Sequence, residues 1–535
     1  MRKVTLFLCC VWALSLLYGE MFAFWVAPLW SCSWPQLPQS FSSKIMSEVS
    51  FQDNHVKIAV LADPQLMDRT SLGLPPKSLA LEIAQFYTDL YMRRSFLASI
   101  LPLKPNLILF LGDYFDGGHL LSDEEWQESL SRFKHIFNLN RHRRNLNVPA
   151  YYISGNHDIG YTGFHSHHPE VINRYEKEFG ERNYRFTAGK VDFISVDAQT
   201  LDGAPQGKLT STSWNFIRNI SMDIRPYPKV LLTHIPLYRS DWTPCGIHRS
   251  SPIINQRVSR AANGQEIMYQ NYLSKETSTL LLDFIRPALV LSGHDHDQCM
   301  VNHLGKYGTI TEHTVGTLSW QQGNLYPSFM LLSASMVFSN TTNPEDALST
   351  QLCFLPMQTH IYIWYLSIFF VTLIAVLFWP TNDLDLWHHC NHLMGSIRRA
   401  LTLNLLKSRA KEKNEDESCD YEMIWDAEGS MHLVKKVLKI QPGSSNDSGI
   451  VGRGNAVVRS TAKKQISHET DASCSVDLNS DIRLDAICKL PPRLNKPRTK
   501  VVTVRLFQAF QMLMVIAAVN IPLYMMLLFK DWIDL

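Results

Sequence analysis

Between His55 and Ser335, short apolar runs alternate with longer amphipathic stretches. The apolar runs predict strands at residues 56–62, 107–111, 150–154, 191–196, 229–233 and 288–292. The amphipathic stretches predict helices at residues 78–100, 122–139 and 274–285. The second helix opens with Ser122 and Glu125 at capping-box spacing, in which each side chain accepts a backbone N–H. This alternation predicts a layered α/β domain rather than a helical bundle or an all-β sandwich.

Three other stretches stay apolar for much longer and predict membrane-spanning helices. They are residues 4–34, 361–379 and 506–529. About 20 apolar residues of helix cross about 30 Å of hydrocarbon. Buried core helices are the alternative for the last two stretches, but such helices seldom remain apolar on every face.

The first stretch contains one charged residue, Glu20, and it has two interpretations. It is either a cleaved signal peptide or an uncleaved anchor. No A-x-A cleavage site is present, and Trp25, Trp30 and Trp34 resemble an interfacial aromatic belt. We therefore favour the uncleaved anchor.

The basic residues beside these stretches predict their orientation. Arg2 and Lys3 precede the first stretch, and clusters of Lys and Arg follow the second and precede the third. Basic residues near the ends of spans favour the cytosolic side. Residues 35–356 are therefore predicted to lie in the lumen or outside the cell.

That part of the chain carries features suited to an oxidising, glycosylating compartment. N-glycosylation sequons begin at Asn219 and Asn340. Cys245, Cys299 and Cys353 fall there, and Cys32, near the end of the first apolar stretch, would meet the same lumen. Cys245 and Cys299 lie on loops beside the motifs described below, and one disulfide is compatible with this placement.

These features predict seven segments. They are an anchor at residues 1–34, a lumenal α/β domain at 55–335, a lumenal linker at 336–356, a transmembrane helix at 357–379, a cytosolic segment at 380–505, a transmembrane helix at 506–529 and a short tail at 530–535. Residues 441–500 are rich in Ser, Gly, Asn, Asp and Lys, a composition typical of disorder. Residues 423–440 are compatible with a small hairpin.

Composition narrows the possible functions. The 535 residues include 51 Lys and Arg against 49 Asp and Glu, for a formal charge of +2. Nucleic-acid-binding proteins normally contain a strongly basic domain, so no nucleic-acid partner is expected. Charged residues make up 19% of the chain, below the roughly 25% of ordinary soluble proteins. The deficit agrees with part of the chain lying in lipid.

Polar motifs follow several predicted strands at their carboxyl ends, where open α/β sheets place binding sites. The motifs are A-D-P-Q with Asp63 and Gln65, G-D-Y-F-D-G-G with Asp113 and Asp116, G-N-H-D with Asn156, His157 and Asp158, T-H-I-P with His234, and S-G-H-D-H-D with His294 and His296. Each motif alone is common by chance. The ordered set of five is specific.

Five loops with oxygen and nitrogen ligands can converge on two divalent cations. A shared carboxylate holds such ions about 3.5–4 Å apart, where they activate a bridging water and stabilise a phosphoryl transition state. Mixed carboxylate, amide and imidazole ligands suit Mn, Fe or Zn better than Mg or Ca. The motifs therefore predict a binuclear hydrolase of phosphoric esters with Mn, Fe or Zn as the candidate ions.

The motifs resemble the calcineurin-like metallophosphoesterase superfamily, whose pattern is D-x-H, G-D-x-x-D, G-N-H-D or G-N-H-E, H and G-H-x-H. The resemblance covers about residues 55–335. It implies a four-layer α-β-β-α sandwich, here flanked by transmembrane helices. It also implies ligand sets: Asp63, Asp113 and His296 for one cation, and Asp113, Asn156, His234 and His294 for the other. By the same resemblance, His157 is the general acid and Asp116 orients it.

Two positions depart from the family pattern. Gln65 replaces the usual His of D-x-H, so the first cation gains an amide oxygen or loses a ligand, and Mn is favoured over Zn. Gly117 stands where protein Ser/Thr phosphatases carry a phosphate-binding Arg, which argues against a phosphoprotein substrate.

Within the superfamily, the A-D-P-Q opening and the flanking spans look most like a eukaryotic membrane branch. That branch contains the fungal cell-division-control and trafficking metallophosphoesterases and the GPI-anchor ethanolamine-phosphate phosphoesterase. The resemblance implies an endoplasmic-reticulum enzyme that uses a metal-bridging hydroxide to remove an ethanolamine-phosphate branch from the GPI glycan. It would thereby assist ER-to-Golgi transport of GPI-anchored proteins. Its partners would be a GPI glycolipid or GPI-anchored protein, membrane lipid and cargo-export machinery.

Two other functions remain open at this point. One is a lumenal hydrolase of another phosphoester, such as a nucleotide or a lipid headgroup, because one metal core serves many substrates. The other is a catalytically weak scaffold for trafficking or ion homeostasis, suggested by Gln65. Some further residues are candidate glycan contacts: His165, His167, His168, Trp214, Trp242 and Trp320. A solvated loop or core packing explains them equally well.

Overall fold

The computed structural model describes residues 2–38, 55–139, 148–165, 168–223, 225–261, 266–337, 343–378, 421–425, 431–435 and 498–533. The chain divides into two units, one formed by Met1–Trp379 with Val502–Leu535 and the other by Pro380–Val501. In the second unit, strands Tyr421–Trp425 and Met431–Lys435 pair antiparallel, in the region where a hairpin was expected. Most of the predicted cytosolic segment lies outside the described residues, as does Asn340.

Two mixed β-sheets form the centre of the first unit. One contains β1 (His55–Leu61), β2 (Leu107–Phe110), β3 (Ala150–Tyr152), β12 (Ser328–Ser335) and β13 (Leu348–Phe354), in the order β13-β12-β1-β2-β3. The other contains β4 (Tyr184–Ala188), β5 (Val191–Ser195), β6 (Lys229–Leu232), β9 (Leu289–Ser292), β10 (Cys299–Gly305) and β11 (Gly308–Thr314), in the order β10-β11-β9-β6-β5-β4. A hairpin of β7 (Val258–Arg260) and β8 (Ile267–Gln270) lies outside both sheets. Strands β1, β2 and β3 run parallel to one another, as do β5, β6 and β9.

The α-helices are α1 (Arg2–Leu17), α2 (Ala23–Ser31), α3 (Leu79–Arg94), α4 (Asp123–Ile136), α5 (Asn156–Ile159), α6 (Thr162–His165), α7 (Pro169–Phe179), α8 (Lys208–Ser221), α9 (Lys275–Ile285), α10 (Gln358–Phe378) and α11 (Arg498–Trp532). The predicted capping box is present at the start of α4, where Ser122 and Glu125 each accept the other's backbone N–H.

The sheets pack face to face with helices on both outer sides. Along β1, Ile58 and Val60 belong to the core between the sheets, together with Phe193 of β5. The alternate residue Leu61 faces the opposite way and packs with Phe133 of α4. A third core joins α8 and α9 to the outer face of the second sheet. This arrangement confirms the predicted α-β-β-α sandwich.

The first sheet extends beyond the predicted domain boundary at residue 335. Residues 336–356, predicted as a linker, contain β13, which pairs antiparallel with β12 from Ala334↔Leu348 to Ser328↔Phe354. The sequence of β13, L-S-T-Q-L-C-F, is polar at most central positions, as expected of an edge strand. The prediction of a linker is therefore wrong for residues 348–354, which form a strand. The strand was missed because an edge strand lacks the continuous apolar run by which the buried strands were recognised.

Within the described residues, three helical segments are long and apolar enough to cross a membrane. They are Lys3–Val26, Gln358–Phe378 and Val502–Trp532. The first consists of α1 and α2 joined by a π-helical turn at Tyr18–Phe22. The third is longer than the predicted stretch 506–529, because the helix continues through Arg505 on one side and through Lys530 and Asp531 on the other.

A buried group of polar side chains, here called the Arg94 cluster, joins all three segments to the α/β domain. Glu20 in the π-helical turn is 3% exposed and pairs with Arg94 at the end of α3, which is 4% exposed. Arg94 also donates to the Asp531 carboxylate at 3.0 Å and to the Leu527 carbonyl at 2.8 Å, both in α11. The Tyr365 hydroxyl of α10 donates to Glu20 at 2.9 Å. Charges withdrawn from water require such pairing.

A disulfide adds a second connection between the apolar segments and the sandwich. Cys32, which directly follows α2, is bonded to Cys353 of β13 across 321 positions of sequence. The sequence identified both cysteines as lying in one compartment but did not pair them.

Removal of the Arg94 side chain tests the Arg94 cluster. Arg94→Ala leaves Glu20 buried without its cation, and we expect a loss of about 3–5 kcal/mol in the free energy of unfolding. Arg69→Ala is the matched control, because the Arg69–Glu125 pair is about 40% exposed on both sides and should contribute at most about 1 kcal/mol. Unfolding of the detergent-solubilised protein measures both. Equal stability of the two variants would contradict the assignment.

Candidate metal centre

The predicted ligands meet at the carboxyl ends of the parallel strands. Asp63, Asp113 and His296 form one group, and Asp113, His234 and His294 form another, with the ligand atoms of each group within 4.8 Å of one another. Asp113 belongs to both groups, so its carboxylate is placed to bridge two cations.

The backbone around these side chains adopts a conformation that L-residues seldom occupy. Positive φ angles occur at five predicted ligands: Asp63 (47°), Gln65 (39°), Asp113 (55°), His294 (70°) and His296 (59°). Outside glycine such angles are uncommon and concentrate at functional sites. Each residue lies shortly after a strand end, where the turn directs its side chain toward the other loops.

Two glycines permit the loops to approach. A Cβ on Gly155 would lie 2.0 Å from Asp113 Oδ1, and a Cβ on Gly112, which has φ of 99°, would lie 2.6 Å from His234 Nδ1. No side chain fits at either position. The glycines of G-D and G-N-H-D are therefore needed for the close approach of the second, third and fourth motifs.

Asp158, the last residue of G-N-H-D, connects two of these loops. Its carboxylate accepts the backbone N–H groups of Asp113 at 2.9 Å, Gly155 at 2.9 Å and Tyr114 at 2.7 Å. Burial, with the nearby Asp113 charge, raises the pKa of Asp158 to about 7. The sequence named Asp158 within G-N-H-D without giving it a role of its own, and these contacts make it a positioning residue.

Backbone carbonyls orient the histidine rings. His234 Nδ1 donates to the Leu111 carbonyl at 2.8 Å, while its Nε2 lies 3.1 Å from both Asp113 Oδ2 and Asn156 Oδ1. His294 Nε2 donates to the Gln270 carbonyl at 3.0 Å. A ring that donates through one nitrogen offers the other to a cation. Asn156 therefore lies with the second ligand group, as the resemblance implied.

Gln65 lies inside the site despite its departure from the family pattern. Its side-chain nitrogen donates to Asp113 Oδ2 at 3.2 Å, and its Oε1 is buried without a hydrogen-bond partner. An unsatisfied buried acceptor is costly, and a cation would satisfy it. The donor set, including this oxygen, fits a pair of divalent ions.

The charges of the site are compatible with two cations. Burial raises the pKa of Asp63 to about 8. Burial alone would raise the pKa of Asp113, but the charges of His234 and His157 hold it well below its usual range. Burial disfavours the charged form of His234, yet Asp113 and Asp63 outweigh it and raise its pKa to about 9. In the metal-free cluster, protons bound to Asp63 and His234 thus offset the negative charge that two cations would offset when bound.

His157 lies at the edge of the cluster with 34% of its side chain exposed. Its Nδ1 donates to the main-chain carbonyl of Asp116, whose carboxylate is 3.9 Å away and accepts from Ser71. Burial lowers the pKa of His157, but the charges of Asp113 and Asp116 outweigh it and the net pKa is raised. Asp116 thus contacts His157 through its backbone rather than through the carboxylate that the resemblance implied. Nε2 is left for proton transfer.

A salt bridge that the sequence did not reveal supports the G-H-D-H-D loop. Arg249 donates to both carboxylate oxygens of Asp295 at 2.8 Å, and Asp295 lies between the ligands His294 and His296. The Cys245–Cys299 disulfide closes the same region. The signal in the sequence was Asp295 itself: an aspartate between two ligand histidines is expected to be buried with them, and a buried carboxylate requires a cationic partner.

Most of the other candidate contacts lie apart from this cluster or outside the described residues. Trp214 donates to the Leu201 carbonyl, Trp242 is 72% exposed, and His168 pairs with Glu170. His167 and the side chain of His165 lie outside the described residues.

Binding of Mn²⁺ to the metal-free protein should release protons. Asp63 and His234 are protonated at pH 7 because their pKa values are about 8 and 9. Bound cations displace these protons, so we expect about two protons to be released when two ions bind. Below these pKa values, the apparent affinity for metal should fall about tenfold for each unit decrease in pH and each displaced proton. Calorimetry in buffers of different ionisation heat counts these protons. Identical heats in all buffers would contradict the expectation.

Arg249→Ala should weaken metal binding through the loop. Asp295 is 6% exposed, and loss of its bidentate partner leaves it only the more distant Arg239, 3.8 Å away, so the loop must move to solvate the charge. We expect at least about tenfold weaker retention of metal and a lower Tm. Arg218→Ala, on the exposed face of α8, is the control. Wild-type metal content after dialysis, at wild-type Tm, would exclude this positioning role.

Comparison with known proteins agrees with this geometry. Residues 56–298 match the family described as calcineurin-like phosphoesterase. Cell division control protein 1 of Saccharomyces cerevisiae is 30% identical over 58% of this chain and 63% of that protein, so the match spans less than two thirds of the yeast protein. The metallophosphoesterase 1 homolog of Drosophila melanogaster is 27% identical over 68% of this chain and 90% of that protein. Metallophosphoesterase 1 of Mus musculus is 29% identical over 65% and 83%.

Among solved structures, a purple acid phosphatase from yellow lupin, PPD1, aligns over 58% of this chain and 55% of that chain, with 11% identity and a TM-score of 0.34. The family match over residues 56–298 agrees with the two ligand groups that share Asp113. Residues 56–298 therefore carry the domain described as calcineurin-like phosphoesterase.

Proposed function

We propose that this protein is a phosphodiesterase of the endoplasmic-reticulum lumen that removes an ethanolamine-phosphate branch from the GPI-anchor glycan. By doing so it would assist ER-to-Golgi transport of GPI-anchored proteins. The observation that carries the proposal is the pair of ligand groups sharing Asp113, in a domain that the Arg94 cluster ties to three apolar helical segments.

The residues support hydrolysis of a phosphodiester. When bound, two divalent cations supply Lewis acidity and lower the pKa of water. Gln65 and Asn156 add neutral amide oxygens, so the site keeps fewer negative charges and admits an anionic phosphate. His157 carries a raised pKa and holds its proton at Nδ1 against the Asp116 carbonyl. Its Nε2 can then donate to the leaving sugar oxygen.

Two further observations support a lumenal, membrane-bound substrate. Both disulfides, Cys32–Cys353 and Cys245–Cys299, suit an oxidising compartment. The sequon residue Asn219 is exposed on α8, where an oligosaccharide could be attached. The choice of the GPI glycan as the substrate rests on the resemblance to the GPI-anchor branch. Gly117, in place of the phosphate-binding Arg of protein phosphatases, argues against a phosphoprotein substrate.

Substitution of Asp113 and His157 tests the chemistry. The full chain in detergent, loaded with Mn²⁺, should hydrolyse bis(p-nitrophenyl) phosphate. Asp113→Ala should abolish hydrolysis together with metal binding, and His157→Ala should lower activity on a poor leaving group about 10²- to 10⁴-fold while metal is retained. His168→Ala, an exposed histidine near the same motif, is the control. A wild-type protein that binds metal and hydrolyses no phosphodiester would leave the scaffold as the better explanation.

The substrate is tested in cells that lack the protein. Mass analysis of their GPI glycans should show ethanolamine phosphate retained on a mannose that is normally unsubstituted, reversed by the wild-type chain and not by Asp113→Ala. Unchanged GPI glycans, with phosphodiesterase activity intact in vitro, would favour a nucleotide or lipid-headgroup substrate instead.

A further inference from the structure

A cavity of about 680 Å³ lies where the sandwich meets the apolar helices. Its wall includes five aromatic side chains from four elements: Tyr87 of α3, Trp320 of the loop after β11, Tyr362 and Tyr365 of α10, and Tyr524 of α11. The Tyr87 and Tyr524 hydroxyls are hydrogen-bonded at 3.1 Å, and the Trp320 and Tyr362 rings meet edge to face at 5.7 Å. The wall is therefore built by contacts between the domain and the helices.

The loop from Thr317 to Leu325 separates this cavity from the metal centre. Toward the metal centre, Thr317 N–H donates to the His296 carbonyl at 3.0 Å, and Gln321 Nε2 donates to the Gln65 carbonyl at 2.9 Å. Gln321 also lines the cavity. A molecule in the cavity would thus lie one loop away from the predicted cation ligands.

Two residues that line the cavity, Trp320 and Asn324, each carry a buried polar atom without a hydrogen-bond partner. Trp320 Nε1, a donor, and Asn324 Oδ1, an acceptor, are both buried without a hydrogen bond, and Asn324 is only 6% exposed. A buried polar group without a partner costs about 1–3 kcal/mol. A ligand in the cavity that both donates and accepts would satisfy them once the two side chains turn toward it.

Carbohydrate has the chemistry that this wall requires. Sugar hydroxyls both donate and accept, and the C–H faces of a sugar ring pack on aromatic rings. An acyl chain would fill the apolar space but would leave Trp320 Nε1 and Asn324 Oδ1 unsatisfied.

The position of the cavity along the apolar helices predicts that it lies at the membrane surface. Tyr362 and Tyr365 lie in the first two turns of α10, which begins four positions after β13 ends. Tyr524 lies in the part of α11 that leads to the Arg94 cluster. Tyrosine and tryptophan at such helix ends favour the membrane–water interface.

We propose that this cavity binds the carbohydrate of a membrane-anchored glycolipid and holds it for cleavage at the adjoining metal centre. The identity of the bond that is cleaved rests on the proposed function. The binding of sugar rests on the aromatic wall, the two unpartnered atoms and the shared loop.

The test fills the cavity without touching the metal centre. Ala84 of α3 lines the cavity, whereas Ile83, its neighbour on the same helix, is 47% exposed and does not. Ala84→Trp should occupy the space, and Ile83→Trp is the matched control. The full Mn²⁺-loaded chain in detergent is titrated with a lipid-linked trimannosyl-glucosaminyl-inositol that lacks ethanolamine phosphate, so that no turnover occurs. We expect at least tenfold weaker binding to Ala84→Trp and binding within twofold of wild type for Ile83→Trp.

Competitors distinguish sugar from lipid. The same glycan without its lipid should compete, and phosphatidylinositol without mannose should compete at least tenfold less well. Equal competition by phosphatidylinositol would identify a lipid site and overturn the proposal, as would wild-type binding by Ala84→Trp.

Two controls keep the result independent of folding and of the proposed function. If Ala84→Trp fails to fold, Trp320→Phe is used instead, because this substitution keeps an aromatic ring and removes the Nε1 donor. Glycan binding to Trp320→Phe should weaken severalfold. Unchanged binding would contradict the proposal. Hydrolysis of bis(p-nitrophenyl) phosphate should stay within twofold of wild type in the cavity variants. Its absence from the wild-type protein would overturn the proposed function and leave the glycan titration interpretable.

Discussion

One buried carboxylate, that of Asp113, constrains the whole arrangement. Because Asp113 belongs to both ligand groups, loops from two different sheets must reach the same few ångströms. Parallel strands bring their carboxyl ends to one edge, and the face-to-face packing of the sheets brings the two edges together. The glycines at 112 and 155 then remove the side chains that would keep the loops apart. The positive φ angles at five ligands are the local cost of this convergence.

The parts of this structure that could be predicted from the sequence are those encoded locally. Strand β1 and the motif after it lie within a few residues, so an apolar run followed by A-D-P-Q was enough to place Asp63 at a strand end. The parts that were missed depend on partners far along the chain. Arg249 and Asp295 are 46 positions apart, and Cys32 and Cys353 are 321 apart. No periodicity relates such residues, and only the folded chain identifies the pairs.

Glu20 illustrates the same limit in a different way. In the sequence it is a single interruption of an apolar stretch, with nothing nearby to explain it. In the structure it is the anion that Arg94 requires, and its turn is π-helical. Gln65 is comparable: as a departure from the family pattern it suggested a weakened site, whereas its buried, unpartnered oxygen fits a ligand role. An irregular residue is thus better judged by the group that it faces than by the pattern that it breaks.

The Arg94 cluster has a geometric consequence for any enzyme held at a bilayer. Arg94 contacts apolar segments that precede and follow the sandwich in the sequence. These contacts restrict rotation of the catalytic domain relative to the apolar helices. Such a rigid attachment would fix the distance between the reactive atoms and the acyl chains of a bilayer. Chemically equivalent bonds nearer to or farther from the lipid would then be passed over, and selection among them would be a matter of distance as much as of recognition.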